Sequence, residues 1–221
     1  MMARLDANGR RFNSPQLHQT TALRAECTTG ARRGLSRAGE GRQCGMAHLP
    51  YANLNDAALQ PLVDRITRER GSVLHLYRML LHSPPLAEGW LGFLTNVRQR
   101  LDLDGGLREL VIMQVAHLNG APYEAEQHAP IALQHGITTA QLAALPAWQS
   151  EPSFSAVQRA ALHLTDAMTR RVQVPCEVID AVRAHLDERR TVELVGTIAA
   201  YNMVSRFLEA LQVHSTDTPE R

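Results

Sequence analysis

From residue 50 onward, apolar positions recur every three or four residues, and the breaks between runs carry helix-terminating chemistry. A first helix is predicted over about 55–70, stopped by Gly71. Ser72 then caps VLHLYRMLLHS, which Pro84 and Pro85 end, and LAEGWLGFLTNVRQRL follows as a third helix. Asp104 caps a helix over 105–118 that stops at Asn119-Gly120. Pro122 suits the first position of the next helix, 122–135, which closes at Gly136. Thr138 with Gln141, and Ser155 with Gln158, have capping-box spacing. The first box opens a short helix ending before Pro146. The second opens 155–171, with Val157, Ala161, Leu164 and Met168 on one face. Pro175 opens 175–186, and Asp187 precedes 188–212, where Val192, Val195, Ala199, Met203 and Phe207 recur at helical spacing. No stretch shows sustained two-residue alternation, so the chain reads as one all-α domain, without internal repeats or a glycine-rich phosphate loop.

Composition bounds the function. With 44% hydrophobic residues in 221, the chain can bury one substantial core. No run approaches the roughly 18 consecutive apolar residues of a membrane span. Every basic side chain is Arg and none is Lys, which excludes Schiff-base and lysine-nucleophile chemistry. Residues 1–45 hold eight Arg against three acids, whereas the remainder holds fifteen Arg against nineteen. That acidic body offers no nucleic-acid-binding face. The first 45 residues are aperiodic and rich in Gly, Ser, Thr, Asn and Arg, so a disordered N-terminal extension is expected, with the domain spanning 46–221 from Met46. The extension has neither the apolar segment of a secretory signal nor the amphipathic stripe of a transit peptide. Cys27 and Cys44 fall within it. Cys176 alone in the body supports neither a disulfide framework nor a zinc site, and the expected location is cytoplasmic.

The chemistry concentrates in RELVIMQVAHLNGAPYEAEQH, residues 108–128. Most of it has the character of a buried helix, yet it carries Glu109, His117, Glu124 and His128, and ionisable groups are costly to bury unless paired or used. Local rules leave alternatives open. His117 suits a helix C-terminus, Glu124 suits a first helical turn, and His128 faces apolar neighbours as a satisfied core histidine would. The spacing of His117, Glu124 and His128 matches no metal motif. Further along, Asn202 and Arg206 are four residues apart on an apolar helix. An inward Arg206 would clamp a substrate carboxylate; the alternative is an ion pair with Glu193, Glu209 or a neighbouring subunit.

The segment resembles the carboxymuconolactone decarboxylase / alkylhydroperoxidase D (AhpD-like) family. In its peroxidase branch a Glu precedes CxxC by twelve residues and a His follows four after the second Cys. Glu109 and His128 fall on that frame, with Ala121 and Glu124 at the cysteine positions and Tyr123 at an auxiliary His position. The decarboxylase-like branch tends to N..YEW..H, which NGAPYEAEQH matches except for Ala125 at the Trp position. The likeness continues through LYRMLLHSPPLAEGW, LRELVIMQVAHLNG and VELVGTIAAYNMVSRFLEAL, over about residues 50–213.

The resemblance implies an AhpD-like bundle of about six to eight short helices, assembled as a homo-oligomer, a trimer or hexamer. Dithiol peroxide reduction cannot run on Ala121 and Glu124. An acid/base enzyme without metal or organic cofactor is implied instead, decarboxylating a small anionic lactone or oxo-acid whose own conjugation takes up the electrons. Its catalytic residues would be Glu109, His128 as proton donor and Tyr123 as a hydroxyl. His117, Glu124, Asn202 and Arg206 are the substrate-binding candidates. The competing readings are a peroxidase-type antioxidant protein working through Cys176 and a ligand-binding oligomer without catalysis.

Overall fold

The computed structural model describes residues 47–219, and the expected N-terminal extension, 1–45, lies outside them. Among the described residues there are nine α-helices and no strand, rather than six to eight. They are α1 (Gln60–Arg70), α2 (His75–Leu80), α3 (Pro84–Gln99), α4 (Gly105–Asn119), α5 (Pro122–Gln134), α6 (Thr139–Ala144), α7 (Ala156–Arg170), α8 (Cys176–Arg183) and α9 (Glu188–Leu211), with a 3-10 turn at Leu145–Ser150.

The predicted caps are present where side chains supply them. Asp104 accepts the Leu107 N–H, Asp187 accepts the Arg190 N–H, and both capping boxes are closed in both directions. The stop after α4 takes Gly120 into the left-handed region at φ 62°, and the Ala121 N–H reaches back to the Ala116 carbonyl at 2.9 Å. That turn reverses the chain into α5.

Three expectations differ. α1 begins at Gln60 because the Asn53 and Asp56 side chains accept the N–H groups of Asn55 and Ala58, both at 2.9 Å, and hold 53–59 in turns. Ser72 does not cap α2, whose preceding residue is Leu74. Pro84 and Pro85 open α3, where a missing N–H costs nothing.

α4 runs through the centre of the molecule, packed by α5, α7 and α9. Every residue from Gly106 to Ala116 is buried. Its start lies so close to the end of α5 that a Cβ on Gly106 would stand 2.9 Å from the His135 carbonyl oxygen. The larger core cluster joins α1–α5 and α7–α9. A smaller one gathers Leu110, Met113, Ala132, Ile137, Leu145, Trp148, Phe154 and Leu162.

α9 buries a different face from the one its most apolar row marks. Val192 is 70% exposed and Met203 37%, while Leu194, Ile198, Tyr201, Asn202, Ser205 and Leu208 point inward. Small polar residues are tolerated on the inner face because each has a hydrogen bond to make. Thr197 Oγ1 donates to the Glu193 carbonyl at 2.8 Å, and Ser205 Oγ donates to the Glu124 carboxyl.

Candidate active site

α4 supplies Glu109 and Arg108, and the turn after it brings α5 back alongside so that His128 faces them. His128 Nδ1 lies 2.7 Å from Glu109 Oε2, and Arg108 Nε donates to Glu109 Oε1 at 3.0 Å. Both carboxylate oxygens are thus engaged, with Glu109 1% and His128 5% exposed. Burial alone would push the Glu109 carboxyl up, but hydrogen bonds and charge from His128 and Arg108 outweigh it and hold the group below its usual range. For His128, burial pushes the imidazole down against the opposing pull of Glu109, so the ring is neutral at rest. With ionised Glu109 as the acceptor, Nδ1 carries the ring proton and Nε2 is the basic nitrogen.

α9 closes the site from the other side. The Tyr201 ring meets His128 edge-on, centroids 4.9 Å apart and planes at 89°. Four residues on, Ser205 Oγ donates to Glu124 Oε2, tying α9 to α5. Glu124 is 2% exposed, and burial pushes its carboxyl up to about 8, Ser205 opposing and the Glu209 charge adding. The Tyr201 hydroxyl and Glu124 Oε1 are both buried without a hydrogen-bond partner. From α3, the half-buried Arg98 acts on both His128 and Tyr201 through its charge, and it stands in no ion pair among the described residues.

The predicted site residues divide. Glu109 and His128 meet. Glu124 joins their neighbourhood through Tyr201, on whose hydroxyl the charges of Glu109 and Glu124 both act. Tyr123 faces elsewhere. Its hydroxyl is held by the backbone of Leu76 and His75, and its ring stacks on His75 at 6.2 Å. His117 is exposed at the end of α4, on a cleft shared with Met113, Pro122 and Ala125. Asn202 is structural in its contacts, accepting from Asn119 and donating to Thr169 Oγ1 and the Ile198 carbonyl, which fastens the ends of α4 and α7 to the body of α9. Arg206 is exposed on a cleft with Arg170 and Arg171, with neither of the expected Glu193 or Glu209 partners. Sequence reasoning missed Arg98, Arg108, Tyr201 and Ser205. The signal for the last two was their four-residue spacing on one helix face.

Among the described residues no group of three or more His, Cys, Asp or Glu could hold a metal ion. Cys176 is a free, exposed thiol at the start of α8. No helix among the described residues is long and apolar enough to cross a membrane.

Residues 84–167, from the start of α3 into α7, match the carboxymuconolactone decarboxylase family. The chain is 32% identical over 106 residues to the uncharacterized protein YdfG of Bacillus subtilis, covering 47% of this chain and 72% of that protein. Its fold is similar to an uncharacterized peroxidase-related protein from Ralstonia eutropha with an alkylhydroperoxidase AhpD core. There the TM-score is 0.67 at 14% identity, over 80% of this chain and 99% of that one. It is also similar to the debrominase Bmp8, with a TM-score of 0.63 at 17% identity over 75% and 89% of the two chains.

Proposed function

The chain belongs to the carboxymuconolactone decarboxylase family, and on that premise we propose that it is a cofactor-free acid/base enzyme that decarboxylates a small anionic lactone or oxo-acid. The observation that carries this reading is the buried His128–Glu109 hydrogen bond, with Arg108 on the second carboxylate oxygen. It presents a neutral imidazole whose basic Nε2 is directed away from its anionic anchor. An imidazole of that kind takes up a proton when an anion arrives beside it, and Glu109 stabilises the imidazolium that forms.

Arg98, lacking an acidic partner, is suited to hold the anionic group of the substrate at the edge of the site. The carbon–carboxylate bond then breaks, carbon dioxide leaves, and the electron pair moves into the conjugated carbonyl of the substrate. His128 Nε2–H returns a proton to carbon, and the imidazole recovers it from water. In this assignment His128 remains the proton donor and Glu109 its partner, while Tyr201 replaces Tyr123 as the hydroxyl of the site.

Thiol-dependent peroxide reduction has less to work with. Ala121 and Glu124 carry no sulfur, and exposed Cys176 has no second cysteine beside it among the described residues.

The test is carbon dioxide release from 4-carboxymuconolactone by the purified full chain. Wild-type turnover is expected to fall by about 100-fold or more in Glu109→Gln and in His128→Ala, the usual worth of a positioned acid/base group, with both variants folded by circular dichroism. Near-wild-type rates in both variants would remove the pair from the chemistry. A folded wild-type protein that releases nothing would retire the lactone as substrate.

A further inference from the structure

The Glu109–His128 pair accounts for proton transfer and leaves unexplained two buried polar atoms next to it. These are the Tyr201 hydroxyl and Glu124 Oε1, neither of which has a hydrogen-bond partner. A buried polar atom left alone is costly, because it has given up its water and gained nothing in return. Two such atoms, on residues that bracket a reactive histidine, point to a group from outside the chain. Tyr201 lies against His128, and the charges of Arg98, Arg108 and Glu109 reach its hydroxyl.

We propose that Tyr201 Oη and Glu124 Oε1 form a neutral donor pair that takes up the substrate oxygen on which negative charge accumulates. The proposal rests on the decarboxylation reading and supplies what that reading lacks, a place for the enolate oxygen.

The hydrogen bonding decides where the Glu124 proton sits. Ser205 Oγ has one proton; given to Glu124 Oε2 rather than to the Tyr201 carbonyl, it leaves the proton of a neutral carboxyl on Oε1, the atom without a partner. The carboxyl is kept neutral near pH 7 by burial, with the Glu209 charge adding to the effect. The phenol is likewise pushed up by burial, so it keeps its proton. Two neutral donors in a water-poor setting stabilise an oxyanion better than water does, because their dipoles are already oriented. A carboxylic acid held protonated beside a tyrosine is a known way to build such a site.

The electron flow then closes. As the carbon–carboxylate bond breaks, the pair travels into the conjugated carbonyl, and its oxygen becomes the enolate oxygen between Tyr201 Oη–H and Glu124 Oε1–H. When His128 Nε2–H protonates carbon, the pair returns and the carbonyl is restored. The substrate class narrows accordingly. It carries a carbonyl in conjugation with the carbon that loses carbon dioxide, besides an anionic group for Arg98.

The probe is 4-nitrophenol, whose phenolate places delocalised negative charge on one oxygen, titrated spectrophotometrically with the full chain. Wild-type protein is expected to bind the phenolate about tenfold more tightly than the phenol, so that the bound compound ionises about one pH unit below the free one. Tyr201→Phe keeps the ring against His128 and Glu124→Leu keeps the volume; each is expected to abolish the shift. Glu124→Gln retains an N–H donor and is expected to preserve part of it. Tyr201→Phe decides alone if Glu124→Leu does not fold.

No shift in the wild type, or the same shift in Tyr201→Phe, overturns the donor pair. The two readings separate cleanly. An intact, Tyr201-dependent shift in a protein that releases no carbon dioxide from the lactone sinks the reaction and leaves the pair. Lactone turnover without the shift does the reverse.

Discussion

Glu109 and Glu124 are both interior carboxyls, yet their surroundings move them in opposite directions. Glu109 has an imidazole N–H on one oxygen and a guanidinium on the other, which favour the anion over the cost of burial. Glu124 has one hydroxyl, a like charge from Glu209 and no cation among its influences, so burial prevails and the acid form is kept to about 8. The sign of the consequence follows. Between about 4.5 and about 8 the folded state holds a proton on Glu124 that the unfolded chain has released. Stability therefore falls as pH rises through that window, by up to about 1.4 kcal/mol per pH unit. Glu109 does the opposite, adding stability above its unfolded range that is lost in acid. Urea unfolding followed from about pH 5 to about pH 8 should show the decline in wild type and a flatter profile in Glu124→Gln. Equal slopes would mean that Glu124 is ionised throughout. None of this is visible in the letters PYEAEQH, where Glu124 has the local pattern of an ordinary first-turn acid.

Helix ends were legible where one side chain decides them. Asp104, Thr138, Ser155 and Asp187 all accept the N–H their position predicts. The start of α1 was not, because Asn53 and Asp56 compete for the same backbone donors. The orientation of α9 was not either. Its exposed Val192, Ala199 and Met203 are more apolar than the Tyr201, Asn202 and Ser205 face it buries, so hydrophobicity alone selects the wrong side. The Glu109–His128 frame was legible through family resemblance, whereas Arg98, Tyr201 and Ser205 come from two other helices and needed the packing. α4 and α5 hold their half of the site in register partly through the close approach at Gly106. Gly106→Ala places a methyl 2.9 Å from the His135 carbonyl and forces the two helices apart. The expected loss is about 1–3 kcal/mol of stability, the usual cost of overfilling, together with reduced turnover as His128 moves from Glu109. A melting temperature and activity both within error of wild type would show that the contact relaxes freely.

At the scale of the whole molecule, the apolar row left outside on α9 continues the expectation of a homo-oligomer. Sedimentation velocity of the full chain is expected to give a trimer or hexamer, and the double variant Val192→Glu, Met203→Glu is expected to dissociate it. A wild-type monomer, or a double variant that assembles unchanged, would place the contact elsewhere or remove it.

α4 has a further consequence. It is at once the spine of the core and the carrier of Arg108 and Glu109. Substitutions there put solubility and chemistry at risk together, so the helix leaves little latitude for gradual change. Arg98 on α3 and Tyr201 on α9 reach the same site from helices that keep an exposed side. A laboratory selection for altered substrate preference should therefore accumulate its mutations on α3 and α9 and leave α4 untouched.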